Sequence, residues 1–314
     1  MKFPYEEFDL TGLRTYPLAS RESKAKRDDF ARAYRRGSGI VGLVGSLPNI
    51  LGAADFREIV RSILDAREHG RGIVWGLGAH VVKTGLSPIV IDLMKRGFMS
   101  AIATNGAGLI HDFEIAISGS TSENVEHSLE PGLFGFSEET GGQLNAAIND
   151  GVRRGLGIGQ AVGEYLVMSE PKYGDLSITA TAAELEIPLT VHVAIGTDVI
   201  HMHPSASGSA LGEGSLRDFR YFVSSVARIE RGVYLNCGSA VVLPEVFLKA
   251  IALARNRGAT FDGLTTVNLD FLRLYRPQTN VVARPTATSG RGFSLVGHHE
   301  ILIPLLAATL IENS

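Results

Sequence analysis

Short apolar runs alternate with longer amphipathic stretches from residue 53 to the end of the chain. The runs are bounded by glycine and small polar residues, which is typical of buried strands, and the longer stretches repeat apolar residues at the spacing of one helix face. The strands predicted in this way cover residues 73–75, 100–103, 188–195, 233–235 and 263–268, and the helices cover residues 53–69, 88–97, 143–154, 176–185, 215–228, 241–257 and 300–311. This alternation predicts a single doubly wound, mostly parallel sheet with helices on both faces.

Three segments lack the periodicity. Residues 1–37 are polar and charged, with lysine and arginine concentrated between Arg21 and Arg36, and we predict an N-terminal arm that lies in solvent or against a neighbouring subunit. Residues 118–142 are rich in Ser, Thr, Glu and Gly and are predicted to form a lid or a subunit contact. Residues 273–292 are predicted to be irregular, and the rest forms one α/β domain over residues 38–314.

The best indication of a functional site is the segment Gly72–Glu114. Its two apolar runs end in Gly76–His80 and Thr104–Gly108 with a helical pattern between them, so we predict a βαβ unit with parallel strands. Open α/β sheets bind ligands at the carboxyl ends of their strands, where glycine lets backbone N–H groups approach a phosphate or ribose. Further polar residues at predicted strand ends, which would converge on the same edge, are His111, Asp112, Asp198, His201, His203 and Asn236.

His201 and His203 lie two residues apart, and in an extended segment such residues share one face. This spacing is common among metal ligands, and His192, His111 and Asp112 are available to complete a zinc or iron site. A general acid/base or orienting histidine is a second interpretation, and a structural role is a third. The residues alone do not decide among these three interpretations.

Other motifs favour structural roles. Gly157–Gly163 has the spacing GxGxxxG and no strand before it, so we predict a helix face of small residues rather than a phosphate loop. Residues 205–214 are predicted to be a Gly/Ser loop, His298 and His299 a surface pair, and Cys237 a small buried residue. The sequence contains neither a GxSxG nucleophile elbow nor a Walker P-loop.

The composition limits the classes of partner that the protein can bind. The net charge of -3 argues against a nucleic-acid or anionic-membrane surface, which needs clustered positive charge. The single cysteine excludes an internal disulfide and a cysteine-based zinc cluster. Because the N-terminus has no apolar signal region and no apolar run is long enough to span a bilayer, we expect a cytoplasmic protein without nucleic-acid or membrane partners.

Several short motifs are similar, in the same order, to those of the deoxyhypusine synthase family, whose members use NAD to transfer an aminobutyl group from spermidine to a protein lysine. The motifs are Trp75–His80, Thr104–Ala107, Asp198–His203, Gly238–Val242, Ala283–Pro285 and Ile303–Ala307. The resemblance implies a Rossmann-type NAD-binding fold, a small-molecule substrate and a homotetramer. The cofactor contacts that it implies are Gly78, Ala79, His80, Thr104, Asn105, Gly106, Gly238, Ser239 and Asn268. It matches His203 to the family's active-site histidine, with Asp198 and His201 as further catalytic candidates and no metal.

The chain also departs from the family's pattern. The resemblance places the family's catalytic lysine at Leu243, which has no amine to form an enzyme–imine intermediate, and Lys249 lies six residues further on. The acidic residues that follow Ala-Arg-Pro in the family are Thr286 and Ala287 here, which removes partners for a polyamine. We therefore predict an NAD-dependent enzyme of transferase or oxidoreductase type, without lysine–imine transfer, for a small polar substrate that can carry an amine. The alternatives are a metal-dependent enzyme that uses His201 and His203 and a non-catalytic NAD-binding protein.

Overall fold

A computed structural model describes residues 3–314, so residues 1 and 2 of the predicted arm lie outside the described range. Six strands form one sheet in the order β3-β2-β1-β4-β5-β6, and every neighbouring pair is parallel. The strands are β1 (Ile73–Leu77), β2 (Ala101–Asn105), β3 (Leu189–His192), β4 (Val233–Cys237), β5 (Thr265–Asp270) and β6 (Arg291–Val296). The order reverses direction between β1 and β4, which confirms the predicted doubly wound sheet.

Thirteen α-helical segments connect and flank the strands in the described part of the chain. They are α1 (Gly39–Ser46), α2 (Leu51–Glu68), α3 (Ala79–Lys83), α4 (Ser87–Lys95), α5 (Gly106–Ser118), α6 (Val125–Leu129), α7 (Glu138–Arg153), α8 (Ile158–Ser169), α9 (Ile178–Glu184), α10 (Gly208–Val226), α11 (Val242–Asn256), α12 (Tyr275–Pro277) and α13 (His299–Glu312). Short 3-10 helices cover Leu18–Ser20, Arg27–Asp29, Gly174–Leu176 and Val199–Met202, and a π-helical turn covers Gln278–Ala283. Within residues 3–314, no helix has the length and apolar character needed to cross a membrane.

The sheet separates two apolar cores because successive side chains of each strand point to opposite faces. Trp75 and Leu235, which are paired between β1 and β4, belong to the larger core under α2, α4, α5 and α13. Val74 and Tyr234, one residue earlier on the same strands, belong to the smaller core under α10 and α11. The Tyr234 ring stacks on Phe247 of α11 with 3.6 Å between ring centroids. Burial on both faces explains why these strands are continuous apolar runs.

Several predicted boundaries are wrong, among them the start of α7, which is Glu138 rather than residue 143. Strand β6 (Arg291–Val296) begins inside the segment predicted to be irregular, and only Leu295 of its six residues is buried, so its sequence lacks the apolar run of a central strand. Helix α10 begins at Gly208, inside the predicted Gly/Ser loop, with Ser207 accepting the Ala210 N–H as N-cap. Its Gly214 packs so close to α8 that a Cβ there would lie 2.8 Å from Ile158. Tertiary packing overrides the low helix propensity of glycine at this position.

The edge strand β3 is held by polar side chains of α10. Asp218 Oδ2 accepts the N–H of Val191 at 2.8 Å and that of Gly159 at 2.9 Å, which joins β3 to the first turn of α8. A Cβ on Gly159 would lie 1.9 Å from the Leu189 carbonyl oxygen. The prediction that Gly157–Gly163 forms a helix face of small residues is therefore confirmed.

The N-terminal segment is exposed along its length. None of residues 3–38 is buried, and the backbone is tied to the domain where Arg32 donates to the Ser46 carbonyl and Asn49 donates to the Asp29 carbonyl. Large apolar side chains that are more than half exposed there are Phe3, Tyr5, Phe8, Leu10, Leu13, Tyr16, Leu18, Phe30 and Tyr34. The division into an arm and one domain stays a prediction.

His192 at the end of β3 makes the stability pH-dependent. It is buried against Phe222 with 5.2 Å between ring centroids, and burial lowers its pKa from 6.5 to about 3. Between pH 6.5 and 3, His192 therefore binds a proton in the unfolded chain but not in the folded chain. The contribution of His192 to the free energy of unfolding is complete above pH 6.5 and is lost as the pH falls toward 3.

We expect His192→Leu to remove a slope of about 1.4 kcal/mol per pH unit from the free energy of unfolding below pH ~6. Urea denaturation at several pH values measures this slope. The matched control is His298→Gln, because the His298 side chain is 66% exposed. A wild-type slope retained in His192→Leu would show that the histidine is charged in the folded protein.

Candidate active site at the carboxyl edge of the sheet

The turns that follow β1 and β4 meet where the strand order reverses. Gly78 donates its N–H to the Cys237 carbonyl at 2.8 Å. A Cβ on Gly78 would lie 2.3 Å from the Gly238 carbonyl oxygen, and Gly238 has φ +73°, which an L side chain rarely adopts. Both turns therefore need glycine. Three of the predicted cofactor contacts, namely Gly78, Gly238 and Ser239, lie in these two turns, and Ala79 and His80 are the first two residues of α3, which follows the β1 turn.

An aromatic cluster adjoins the two turns. His299, the first residue of α13, is fully buried, and its ring centroid lies 5.6 Å from that of His80. Its Nε2 lies 3.1 Å from the Leu269 carbonyl oxygen, so Nε2 carries the hydrogen, and Nδ1 is a buried acceptor without a partner. The prediction that His298 and His299 form a surface pair is thus wrong for His299. The buried position of His299 depends on β6, the strand that precedes it, and the sequence pattern does not predict that strand.

The polar residues at the end of β2 are engaged in local structure. Thr104 Oγ1 donates to the Leu77 carbonyl at 2.8 Å and links β2 to β1. Asn105 Oδ1 accepts the Gly108 N–H at 2.9 Å and caps α5. Asn268 on β5 is buried and accepts a 2.7 Å hydrogen bond from Asn236 Nδ2. Direct cofactor contacts by these three side chains stay predictions.

Asp198 and His201 form a polar pair beside the first residue of α5. A Cβ on Gly106 would lie 2.0 Å from Asp198 Oδ2, so the carboxylate rests against the glycine backbone. Asp198 Oδ2 and His201 Nε2 are 3.8 Å apart, and both are buried without a hydrogen-bond partner. Burial raises the pKa of Asp198, and the neighbouring His201 opposes that shift.

The His203 side chain contacts other residues than Asp198 and His201. Residues Val199–Met202 form a 3-10 helix rather than an extended segment, and His203 is the extended residue that follows it, so the two histidines do not lie in one extended segment. The prediction that His201 and His203 share a face is therefore wrong. His203 Nδ1 lies 2.7 Å from Ser205 Oγ, and its ring packs over Gly141 of α7. The catalytic role that the resemblance gives to His203 stays a prediction.

The other candidate metal ligands are dispersed. His111 and Asp112 lie within α5 rather than at a strand end. Asp112 accepts hydrogen bonds from Ser177 Oγ at 2.6 Å and the Ile178 N–H at 2.7 Å, which caps α9. Among residues 3–314, no group of three His, Cys, Asp or Glu side chains is placed to hold a metal ion.

Leu243 and its neighbours offer no reactive group. Leu243 is fully buried in the smaller core, and Lys249 on α11 has a 59% exposed side chain that pairs with Glu245. Cys237 is buried, as predicted, and burial raises the pKa of its thiol. None of these three side chains supplies a nucleophile to the carboxyl edge.

No family model matches the chain, and no curated protein matches it. Solved structures share its fold, among them the following three. A conserved candidate LOR/SDH protein from Methanococcus maripaludis S2 has a TM-score of 0.54 and 17% identity, covering 83% of this chain and 70% of that one. AgrE in complex with ornithine and NAD+ has a TM-score of 0.54 and 14% identity, covering 82% of this chain and 33% of AgrE. A candidate deoxyhypusine synthase from Entamoeba histolytica has a TM-score of 0.51 and 13% identity, covering 90% of this chain and 96% of that one.

At such low identities the likeness shows the fold alone. The chain spans about a third of the length of AgrE, with 33% of that protein covered. The shared fold agrees with the predicted deoxyhypusine-synthase-like α/β sheet.

We expect Gly106→Ala to lower the free energy of unfolding by about 1–3 kcal/mol, the typical cost of overpacking, because the new Cβ would displace Asp198 Oδ2. Gly212→Ala is the matched control: it lies within α10 with nothing within 4 Å of its Cβ position and should gain about 0.5–1 kcal/mol. Urea denaturation compares the two. A gain of stability in both variants would show that Asp198 does not rest on Gly106.

Proposed function

We propose that the protein is an NAD-dependent enzyme that oxidises or transfers a group of a small polar substrate at the carboxyl edge of the sheet. The observation that carries this proposal is the meeting of the Gly78 and Gly238 turns where the strand order reverses, the place at which doubly wound sheets bind dinucleotides. The fold that it shares with AgrE, solved with NAD+, supports the cofactor.

The residues around the turns fit such a cofactor. The N–H groups of Gly78 and Gly238 donate to the Cys237 and Leu269 carbonyls, so a pyrophosphate would be bound by the N–H groups of the residues that follow them, Ala79 and Ser239. The unpartnered Nδ1 of His299 is an acceptor that suits a ribose hydroxyl or a carboxamide N–H, and a buried acceptor left without a donor is costly. NAD, when bound, supplies a hydride acceptor.

The Asp198–His201 pair is the group that we assign to proton transfer. It lies against the first residue of α5, which follows β2, the neighbour of β1 in the sheet. His203, the residue that the resemblance favours, has its Nδ1 engaged with Ser205 and its ring against α7. Proton transfer requires a side chain within hydrogen-bond reach of the substrate.

The reaction proceeds without an enzyme–lysine imine. The position matched to the family's lysine is the buried Leu243, and the amine of Lys249 is exposed and paired with Glu245. A Schiff base needs a desolvated or otherwise activated amine, and Lys249 is neither. A metal-dependent enzyme is not favoured by any observation on residues 3–314, since the histidines are dispersed.

The test is calorimetric titration with NAD. We expect binding by the wild type and about tenfold weaker binding by His299→Phe, because phenylalanine keeps an aromatic ring but offers no acceptor in place of Nδ1. His298→Gln, at the exposed neighbouring position, should bind like the wild type. No heat with folded wild type at millimolar NAD would refute the proposal, and binding without turnover would indicate a non-catalytic NAD-binding protein.

The homo-oligomer that the resemblance implies is supported by two complementary exposed segments. Residues 21–36 carry seven Lys or Arg and three Asp or Glu, and the adjoining arm exposes large apolar side chains. Residues 119–139 carry five Glu and no Lys or Arg, and they expose Leu129, Leu133 and Phe136. Opposite charge and unpartnered apolar surface favour contact between the arm of one copy and this segment of another.

Light scattering at micromolar concentration should therefore give a multiple of the 33.6 kDa chain mass. The double variant Glu126→Lys, Glu130→Lys should weaken the assembly at low salt, because it places like charges opposite the basic arm. Glu312→Lys at the end of α13 is the matched charge control. A monomeric wild type would contradict the oligomer.

A further inference from the structure

Strand β6 is an open edge of the sheet. Arg291 donates its N–H to the Leu264 carbonyl beside β5. Because the bonding direction of the backbone alternates along a strand, the N–H groups of Gly292, Ser294 and Val296 point away from β5. None of these three N–H groups donates to a residue outside the sheet in the described part of the chain. Such a row of free backbone groups is a template for pairing with a further strand.

An apolar groove lies beside the carboxyl end of this edge. Its volume is about 460 Å³, and its apolar lining comes from Leu47, Leu51, Phe56, Leu295, Leu302 and Leu305. Phe293 and Leu295 lie on the same face of β6, and both pack against the larger core under α2 and α13. A strand added to β6 would therefore place the side chain next to Leu295 in the groove.

The amino end of the same edge carries an excess of positive charge. Glu58 Oε1 lies 2.6 Å from Arg61 Nη2, and its Oε2 lies 3.0 Å from Arg291 Nη1, so two guanidinium groups share one carboxylate. Both arginine side chains are more than half exposed. The depression around them is lined by four arginines and only two carboxylates. A further carboxylate is favoured at this end.

The tip of the N-terminal arm, defined as residues Glu6–Thr11, has the complementary pattern. The tip reads EEFDLT and β6 reads RGFSLV. Laid parallel to each other, the two segments match at three positions on one face: Glu6 beside Arg291, Phe8 beside Phe293 and Leu10 beside Leu295. The antiparallel orientation would instead bring Glu6 and Glu7 to the apolar groove. Charge and apolar pattern therefore favour parallel pairing, the arrangement of every other pair in the sheet.

The tip has no partner within its own chain. Every residue from 3 to 22 is exposed, and in the described part of the arm all hydrogen bonds of residues 3–28 are to other residues of the arm. Phe8 is 84% exposed and Leu10 is 67% exposed. We infer that the tip of a second copy pairs with β6 as a seventh, parallel strand, with Leu10 in the groove and Glu6 against Arg291. The inference rests on the oligomer proposed above and names the surface that receives the arm.

The arm is built to give a short strand. Leu13 donates its N–H to the Leu10 carbonyl in a turn around Gly12, whose φ of +80° an L side chain rarely adopts. The turn ends the paired segment next to Val296, the last residue of β6. In a two-fold dimer each copy gives its arm to the other, so the contact forms twice.

Disulfide trapping in the full chain tests the register. The native Cys237 is the single cysteine and is buried, so introduced cysteines supply the accessible thiols. Thr11→Cys combined with Val296→Cys places two thiols at neighbouring positions, and mild oxidation should give a covalent dimer of twice the 33.6 kDa chain mass. The matched control, Tyr16→Cys combined with Val296→Cys, moves the thiol five residues along the arm and should cross-link much more slowly.

Three outcomes of the trapping would overturn the inference. A disulfide within one chain would place the arm on its own β6. A covalent dimer from Val296→Cys alone would show that two β6 edges pair with each other. Equal rates for the Thr11 and Tyr16 pairs would reject the register.

Sedimentation velocity gives an independent measurement. Leu10→Asp should raise the dissociation constant of the oligomer at least tenfold, because it would bury a carboxylate in the apolar groove. Leu13→Asp is the matched control, since Leu10 and Leu13 are each 67% exposed in the chain but Leu13 lies beyond the tip. Equal weakening by both variants would overturn the inference.

The outcomes separate this inference from the proposed function. An oligomer that Glu126→Lys, Glu130→Lys dissociates and Leu10→Asp does not would reject the β6 contact and retain the proposed oligomer. A monomeric wild type would reject both. Leu10→Asp should bind NAD like the wild type in calorimetry, and a protein that traps the Thr11–Val296 pair without binding NAD would reject the cofactor and retain the arm contact.

Discussion

The close approach of two glycine turns is the constraint on which the rest of the site depends. In a parallel sheet whose strand order reverses, β1 and β4 are neighbours, and the chain leaves them toward opposite faces of the sheet. At this point Gly78 packs against the carbonyl of Gly238, and any side chain on Gly78 would push the two strand ends apart. The same turn places Gly238 against the ring of His299, so the position of α13 follows from that of β4.

Much of the fold could be predicted from the sequence because the central strands are buried on both faces. β1 and β4 are buried at every residue, which produces short apolar runs in the sequence. The edge strand β6 has half-buried and exposed positions, so its pattern resembles that of irregular chain. The sequence does not predict the start of α10 for another reason: Gly214 is required by its contact with α8, and a contact between distant residues produces no periodic pattern.

The sequence predicts where the site lies better than it predicts how the side chains of the site are arranged. Strand-end position predicted the Gly78 turn and included Asp198 and His201 among the candidates, and the family resemblance added the Gly238 turn. The orientation of His201 and His203 depends on the 3-10 helix that ends at Met202, the one residue between them, and the sequence pattern does not predict this helix. The buried position of His299 depends on β6, which brings residues far apart in sequence to one edge. Features that depend on contacts between residues far apart in sequence are therefore those that the sequence pattern does not predict.

The polar capping of β3 limits how the sheet can grow. An edge strand normally presents free N–H and C=O groups that another strand can pair with. Here the outward N–H of Val191 is bonded to Asp218, that of Val193 to Ser215, and Ser215 donates in turn to the Val191 carbonyl. Helix α8 also covers Leu189 through Gly159. A second polypeptide therefore finds the outward N–H groups of Val191 and Val193 already paired, which disfavours strand-by-strand polymerisation on that side of the protein.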